Sequence, residues 1–222
     1  MGRMGPSRFP GALASSRNEL RAMDVPVKNV AINSTGNIDA LNLIRTGSTY
    51  VTRQGRKVEM KSIRVVANIV PIAGRTATSD YGRIVLVYDR QPNGALPAVA
   101  EVLQTTDQAA NNTTTSFSGI NLNNRDRFII LRDEHVYLTP NVITAGGQPS
   151  ANQFIDPLSK TWRFDWYVKL KNLVTQYKAD SAPAVIGDIA TGSLLLLTLG
   201  FNAAGSEAYQ LSYESRLRFV DI

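Results

Sequence analysis

The sequence predicts an all-β fold, and three observations carry that expectation. Apolar residues recur at every second position in several segments, most cleanly at Trp162, Phe164, Trp166, Val168 and Leu170, the spacing that puts side chains on one face of a strand. The connections between such segments are rich in Gly, Pro, Asn and Thr, and no alternation of strand and amphipathic helix runs through the chain, which removes the parallel α/β folds. With 222 residues, 43% of them apolar and 19% charged, the chain can bury a sizeable core and is too apolar to stay disordered.

Residues 1–26 lack apolar periodicity, contain Gly2, Gly5, Pro6, Pro10 and Gly11, and set Arg3, Arg8, Arg17 and Arg21 against Glu19 and Asp24. They read as a flexible basic N-terminal arm, with residues 27–222 as a single folded domain. Residues 27–32 and 41–44 are short strand candidates, and residues 58–71 form a long one. Within the long one Val58 and Met60 share a face while Ile63 and Val65 have the opposite parity, so a bulge near Lys61 and Ser62 is needed to bury both sets. Residues 83–88 read as a central strand closed by Asp89-Arg90-Gln91-Pro92-Asn93-Gly94, a strong turn signal.

A short helix is expected within residues 97–103, then a long polar surface loop over 104–124. Strands follow at 127–138 and 162–170, with a separate one at 173–177, another at 192–201 and a last at 211–219. In the last, Leu211, Tyr213, Ser215, Leu217 and Phe219 alternate with Ser212, Glu214, Arg216 and Arg218. About eight strands joined by long, unequal loops favour a jelly-roll sandwich over an up-and-down barrel, whose hairpins are tight.

Little in the chain points to catalysis. There is no cysteine and a single histidine, His135, which removes thiol chemistry, Cys-based zinc sites and multi-histidine metal centres. His135 follows Asp133 and Glu134, but no nucleophile elbow accompanies them, and it reads as a strand or interface histidine. The glycine-rich phosphate-binding patterns are missing. The expectation is a protein that is not an enzyme and takes no cofactor. The strongest apolar run, residues 194–201, falls short of the roughly 20 residues of a membrane span, so no membrane insertion is expected. Asp126, flanked by Arg125 and Arg127, is expected to brace the 104–124 loop.

The charge is more informative. Twenty-four basic residues against 18 acidic ones give a formal net charge of +6, which asks for an anionic partner, nucleic acid first. Thr52-Arg53-Gln54-Gly55-Arg56-Lys57 reads as a basic turn running into the long strand. A second group, Arg163, Lys169 and Lys171, and a third, Arg216 and Arg218, fall mainly on the polar faces of their strands. The residues expected to contact phosphate are Arg3, Arg8, Arg17, Arg21, Arg53, Arg56 and Lys57, with Tyr50 as a base-stacking partner.

Four blocks, in order, resemble the coat proteins of small circular single-stranded DNA viruses, most closely the geminivirus-like branch. They are residues 46–63, from Thr-Gly-Ser-Thr-Tyr through Lys-Ser-Ile; residues 84–94, Ile-Val-Leu-Val-Tyr-Asp-Arg-Gln-Pro-Asn-Gly; residues 124–132, Asn-Arg-Asp-Arg-Phe-Ile-Ile-Leu-Arg; and residues 217–221, Leu-Arg-Phe-Val-Asp. The resemblance implies an eight-stranded jelly roll, lettered B to I, with C at 58–71, D at 83–90, E at 127–138, F at 161–170, H at 194–201 and I at 209–221, and the short helix in the D–E connection. It implies that the partners are further copies of the chain, about 60 in an icosahedral T=1 shell, and a single-stranded DNA genome. It also implies a place in the virion and, during assembly, in the host nucleus. The arm here has no run of consecutive basic residues, and the Cys/His cluster of some plant members is absent. About 60 copies at this charge carry on the order of a few hundred positive charges, against thousands of phosphates in a kilobase-scale genome. Two other readings stand beside this one: a lectin-like jelly-roll module using Trp162 and Trp166 as a platform, and the capsid protein of an RNA virus.

Overall fold

The computed structural model describes residues 19–72, 80–105, 113–138, 142–143, 154–155 and 161–222. Its longest ladders run through β3 (Lys57–Pro71), a segment dense in β-branched residues that lies at the centre of a five-stranded antiparallel sheet. Its neighbours are β11 (Tyr209–Asp221) on one side and β8 (Trp162–Tyr177) on the other, flanked by β1 (Arg21–Ala31) and the short β9 (Ile189–Thr191), in the order β1-β11-β3-β8-β9. The second sheet has the order β2-β10-β4-β5, from β2 (Asn37–Ala40), β10 (Ser193–Gly200), β4 (Asp80–Asp89) and β5 (Phe128–Leu138). A separate two-residue ladder joins β6 (Val142–Ile143) to β7 (Phe154–Ile155). Four strands from each sheet, β1-β11-β3-β8 and β2-β10-β4-β5, make the two layers of a jelly roll.

Matching these orders to the letters B-I-D-G and C-H-E-F moves four of the expected assignments by one. The segment at 58–71 is strand D rather than C, 83–90 is E, 127–138 is F and 161–170 is G, while H and I stand as expected. The one-turn helix α1 (Val99–Val102) therefore lies in the E–F connection, not the D–E. The displaced letter is C: β2 is residues 37–40, paired with Leu195 to Thr198 of β10. Leu41 and Ile44, from a segment expected to be a short strand of its own, are buried in the connection that follows β2. Strand β1 begins at Arg21, inside the stretch expected to be arm.

The expected bulge in β3 is present. Arg218 of β11 lies opposite Ser62 and Phe219 opposite Met60, leaving Lys61 as the extra residue, and Val58, Met60, Ile63 and Val65 are all buried. On the other side of β3 the register with β8 shifts at the same place, where Lys171 and Asn172 adopt left-handed conformations (φ 48° and 65°). The segment at 173–177 is thus the continuation of β8 rather than a separate strand.

The core lies between the sheets, where Ile63, Val65, Leu217 and Phe219 meet Ile84, Leu86, Leu194 and Leu196. Buried polar groups tie the layers together. Asn42, with no exposed surface, donates to the Thr175 hydroxyl (2.8 Å) and the Gly192 carbonyl (2.9 Å), and accepts from the Leu194 amide (2.9 Å). The Tyr88 hydroxyl donates across the sandwich to the Val174 carbonyl (2.6 Å). The other face of the second sheet is also covered: Val85, Val87, Leu195, Leu197 and Leu199 pack with Val102 and Leu103 from α1 and its C-terminal end. A strand buried on both faces has no reason to alternate, which explains the four consecutive leucines at 194–197 in β10.

Candidate nucleic-acid interface

The outer face of the β1-β11-β3-β8 layer carries rows of residues set by strand register. One row runs Asp24, Arg216, Arg64, Tyr167 across the four strands. Its cations are neutralised in place. Arg216 meets Asp24 through two bonds of 2.7 and 2.8 Å, and Arg64 grips Asp165 in the same bidentate way. The guanidinium hydrogen bonds hold both carboxyls below the usual aspartate range.

The next row is Ala22, Arg218, Ser62, Lys169. Two small side chains alternate here with two cations, so the surface dips. Lys169 and Arg218 are exposed and form no ion pair among the described residues. Lys171, two residues further along β8, is likewise exposed and unpaired among them. Lys61 reaches in from the β3 bulge, bonded to Glu59 (2.7 Å) and to the Asn172 side chain (3.0 Å). With Leu20 and Tyr167 these residues line a shallow hollow of about 430 Å³ whose walls, among the described residues, include four cations and no carboxylate. Tyr167 is 60% exposed and Leu20 is 52% exposed.

The basic turn divides into two kinds of residue. Arg53, expected at phosphate, is buried: its guanidinium donates to the carbonyls of Ile44 (2.9 Å), Gly55 (2.7 Å) and Ala179 (3.0 Å) and lies 4.1 Å over the Tyr177 ring. Arg21 is also buried, donating to the Thr52 carbonyl (2.7 Å) and pairing with Asp221 (3.4 Å). Both arginines hold the 45–56 loop against the sandwich, and their donors face protein rather than solvent. Arg56 and Lys57 are exposed, as is Tyr50. The Tyr50 carbonyl accepts from the Ala22 amide (3.4 Å), and Ala22 lies opposite Arg218, so Tyr50 stands at the edge of the row that holds the hollow. Arg3, Arg8 and Arg17 lie outside the described residues.

Two other expectations are corrected by the side chains. Asp126 is exposed and offers only its carbonyl, to Arg90 (3.1 Å). Its neighbour Arg127 binds the buried Asp89 through two bonds of 2.9 and 3.0 Å, and the loop is held by Arg83, which donates to the carbonyls of Ser116 (3.5 Å) and Ser118. Trp166 is buried and stacked with Phe164, while Trp162 is 41% exposed at the start of β8, so the two tryptophans form no common platform. His135 bonds the Tyr81 hydroxyl and lies 3.8 Å from Asp133, whose carboxylate is held by Arg83. Among the described residues no three His, Cys, Asp or Glu side chains converge as metal ligands, and no helix is long and apolar enough to cross a membrane.

Tyr167 was not among the residues the sequence singled out, although the period of two along β8 puts it on the face of Lys169 and Lys171. The proximity of Arg218 follows only from the pairing of β11, β3 and β8.

No curated protein matches the chain. Among solved structures, the chain is similar to that of Desmodium yellow mottle tymovirus at 13% identity and TM-score 0.33, covering 99% of this chain and 96% of that one. It is similar to the BFDV capsid protein, solved as a 60-mer, at 11% identity and TM-score 0.31, covering 92% and 94%. The model of one protein family matches residues 2–222. That match spans every described strand of both sheets, and the chain belongs to the geminivirus coat protein/nuclear export factor BR1 family.

Proposed function

We propose that the protein is a coat subunit that assembles with about 60 copies of itself into a closed icosahedral shell and packages single-stranded DNA through sequence-independent phosphate contacts. The arm arginines Arg3, Arg8 and Arg17, together with Arg56 and Lys57 and with Tyr50 for base stacking, make those contacts, while Arg21 and Arg53 position the loop that presents them. The observation that carries this reading is where free positive charge gathers. The arm joins β1 beside Leu20, at the rim of a carboxylate-free basic hollow, whereas the neighbouring cations on the same face are neutralised by aspartates. The attachment point of the arm, Leu20, lines the hollow itself, and an electrostatic surface of this kind follows a phosphate backbone without reading sequence. The family description joins coat protein to nuclear export factor, in keeping with assembly in the host nucleus followed by residence in the virion.

Negative-stain microscopy of the purified protein, with absorbance at 260 and 280 nm and nuclease digestion, tests the proposal. Closed particles whose nucleic acid is lost to DNase but not to RNase after disassembly are expected. A chain that stays monomeric across pH and salt overturns assembly, and RNase-sensitive contents overturn the choice of DNA.

A further inference from the structure

We infer that the hollow between β11, β3 and β8 is a nucleotide subsite for a single strand, in which Arg218, Lys169 and Lys171 hold backbone phosphate and Tyr167 receives an unstacked base. This deepens the packaging function above and rests on it, and it adds to the contacts of the arm and the turn a built site on the folded sheet.

Register supplies the first argument. Arg218 and Lys169 flank the small Ser62 across adjacent strands, so their backbones are about 10 Å apart at two interstrand spacings, with a dip between them that an anionic backbone fills. Chemistry supplies the second. Asp24 and Asp165 each cancel a neighbouring arginine, yet no carboxylate lines the hollow, and Lys169, Lys171 and Arg218 lack ion-pair partners among the described residues. Three uncompensated cations at one spot repel one another, an arrangement relieved by a polyanion.

The third argument is local conformation. Lys171 and Asn172 occupy the left-handed region, a conformation that a lysine rarely adopts. That bulge presents Lys171 at the rim, while the Asn172 side chain accepts from Lys61 Nζ (3.0 Å) and holds Lys61 over the opening. The fourth is Tyr167, 60% exposed and two residues from Lys169 on the same face. An aromatic ring beside phosphate-binding cations takes any base by its flat face, and it requires that base to be free of a duplex stack.

The test measures binding of labelled oligo-dT to the full-length protein as a function of salt, with a duplex of equal length as the comparison. Lys169→Ala, Lys171→Ala and Arg218→Ala should each flatten the log affinity against log salt slope by about 0.7 for the single strand. Tyr167→Ala should weaken oligo-dT about tenfold, leave the duplex unchanged and be rescued by Tyr167→Phe. Arg64→Ala, whose charge Asp165 already neutralises, should leave the slope as it is. If the wild-type protein binds oligo-dT and the combined Lys169, Lys171 and Arg218 variant binds it with unchanged affinity and slope, the subsite is wrong while packaging through the arm stands. Equal losses for single strand and duplex in Tyr167→Ala overturn the stacking role. A wild-type protein that binds no single strand overturns both the subsite and the packaging function on which it rests.

Discussion

Asp89 has no exposed surface, and two bonds from Arg127 are what make its burial tolerable. The carboxylate also accepts from the Gln91 amide (2.9 Å), so the pair pins the turn after β4 to the start of β5. Its bond to Asp89 pushes the Arg127 guanidinium up from its ordinary range. Removing one partner of such a pair leaves a buried charge unmatched, so Arg127→Ala should cost about 3 kcal/mol, whereas Asp126→Ala should stay within about 0.5 kcal/mol. Urea denaturation of the two variants checks the ordering, and equal losses would contradict it. Asp24 offers a pH test. The Arg216 hydrogen bond lowers its pKa in the folded protein, so the stabilisation is present above the unfolded value near 3.8 and is lost as pH falls through the depressed folded value. Both partners are about half exposed, so Asp24→Asn should cost up to about 1 kcal/mol at neutral pH. The difference should vanish in acid below the folded pKa, as read by thermal melts across the pH range.

At the scale of elements, the bulge that interrupts β3 and β8 couples stability to binding. Lys171 is a non-glycine residue at φ 48°, so Lys171→Gly should stabilise the fold by up to about 1 kcal/mol while weakening single-strand binding; a melt and a titration on one sample read both. Gly192 is the opposite case. At φ 77°, a side chain there would run into the Val174 carbonyl and the Tyr88 hydroxyl, so Gly192→Ala should lower the melting temperature by several degrees. The β3 bulge was legible in the sequence because parity changes between Met60 and Ile63, and only an extra residue buries both. The burial of β10 on both faces accounts for the four consecutive leucines at 194–197. Strand β2 was not legible, since Asn37-Ile38-Asp39-Ala40 is four residues long with Ile38 as its one strong β-former, and it is a strand because its backbone pairs with Leu195 to Thr198. Missing it displaced the letters of the next four strands.

Over the whole molecule, the all-β class and the strand alternation were written in short-range pattern, and the family resemblance in four separated blocks. The basic surface was half written. Alternation on β8 and β11 announces two charged faces, but which arginines stay free depends on non-local pairing: Asp24 reaches Arg216 across 192 positions and Asp165 reaches Arg64 across 101. Burial is equally non-local, which is why Arg21 and Arg53, basic residues in a polar context, proved to be the braces of a loop. The sandwich that results has one layer face on which the arm attachment, the exposed Tyr50 and the carboxylate-free hollow come together. In a shell that face should look toward the genome. Electron cryo-microscopy of assembled particles decides this most directly. The β1-β11-β3-β8 layer should line the interior, with nucleic-acid density over Tyr167, Lys169 and Arg218; particles with that layer on the outer surface, or with an empty hollow above a well-ordered genome, would contradict it.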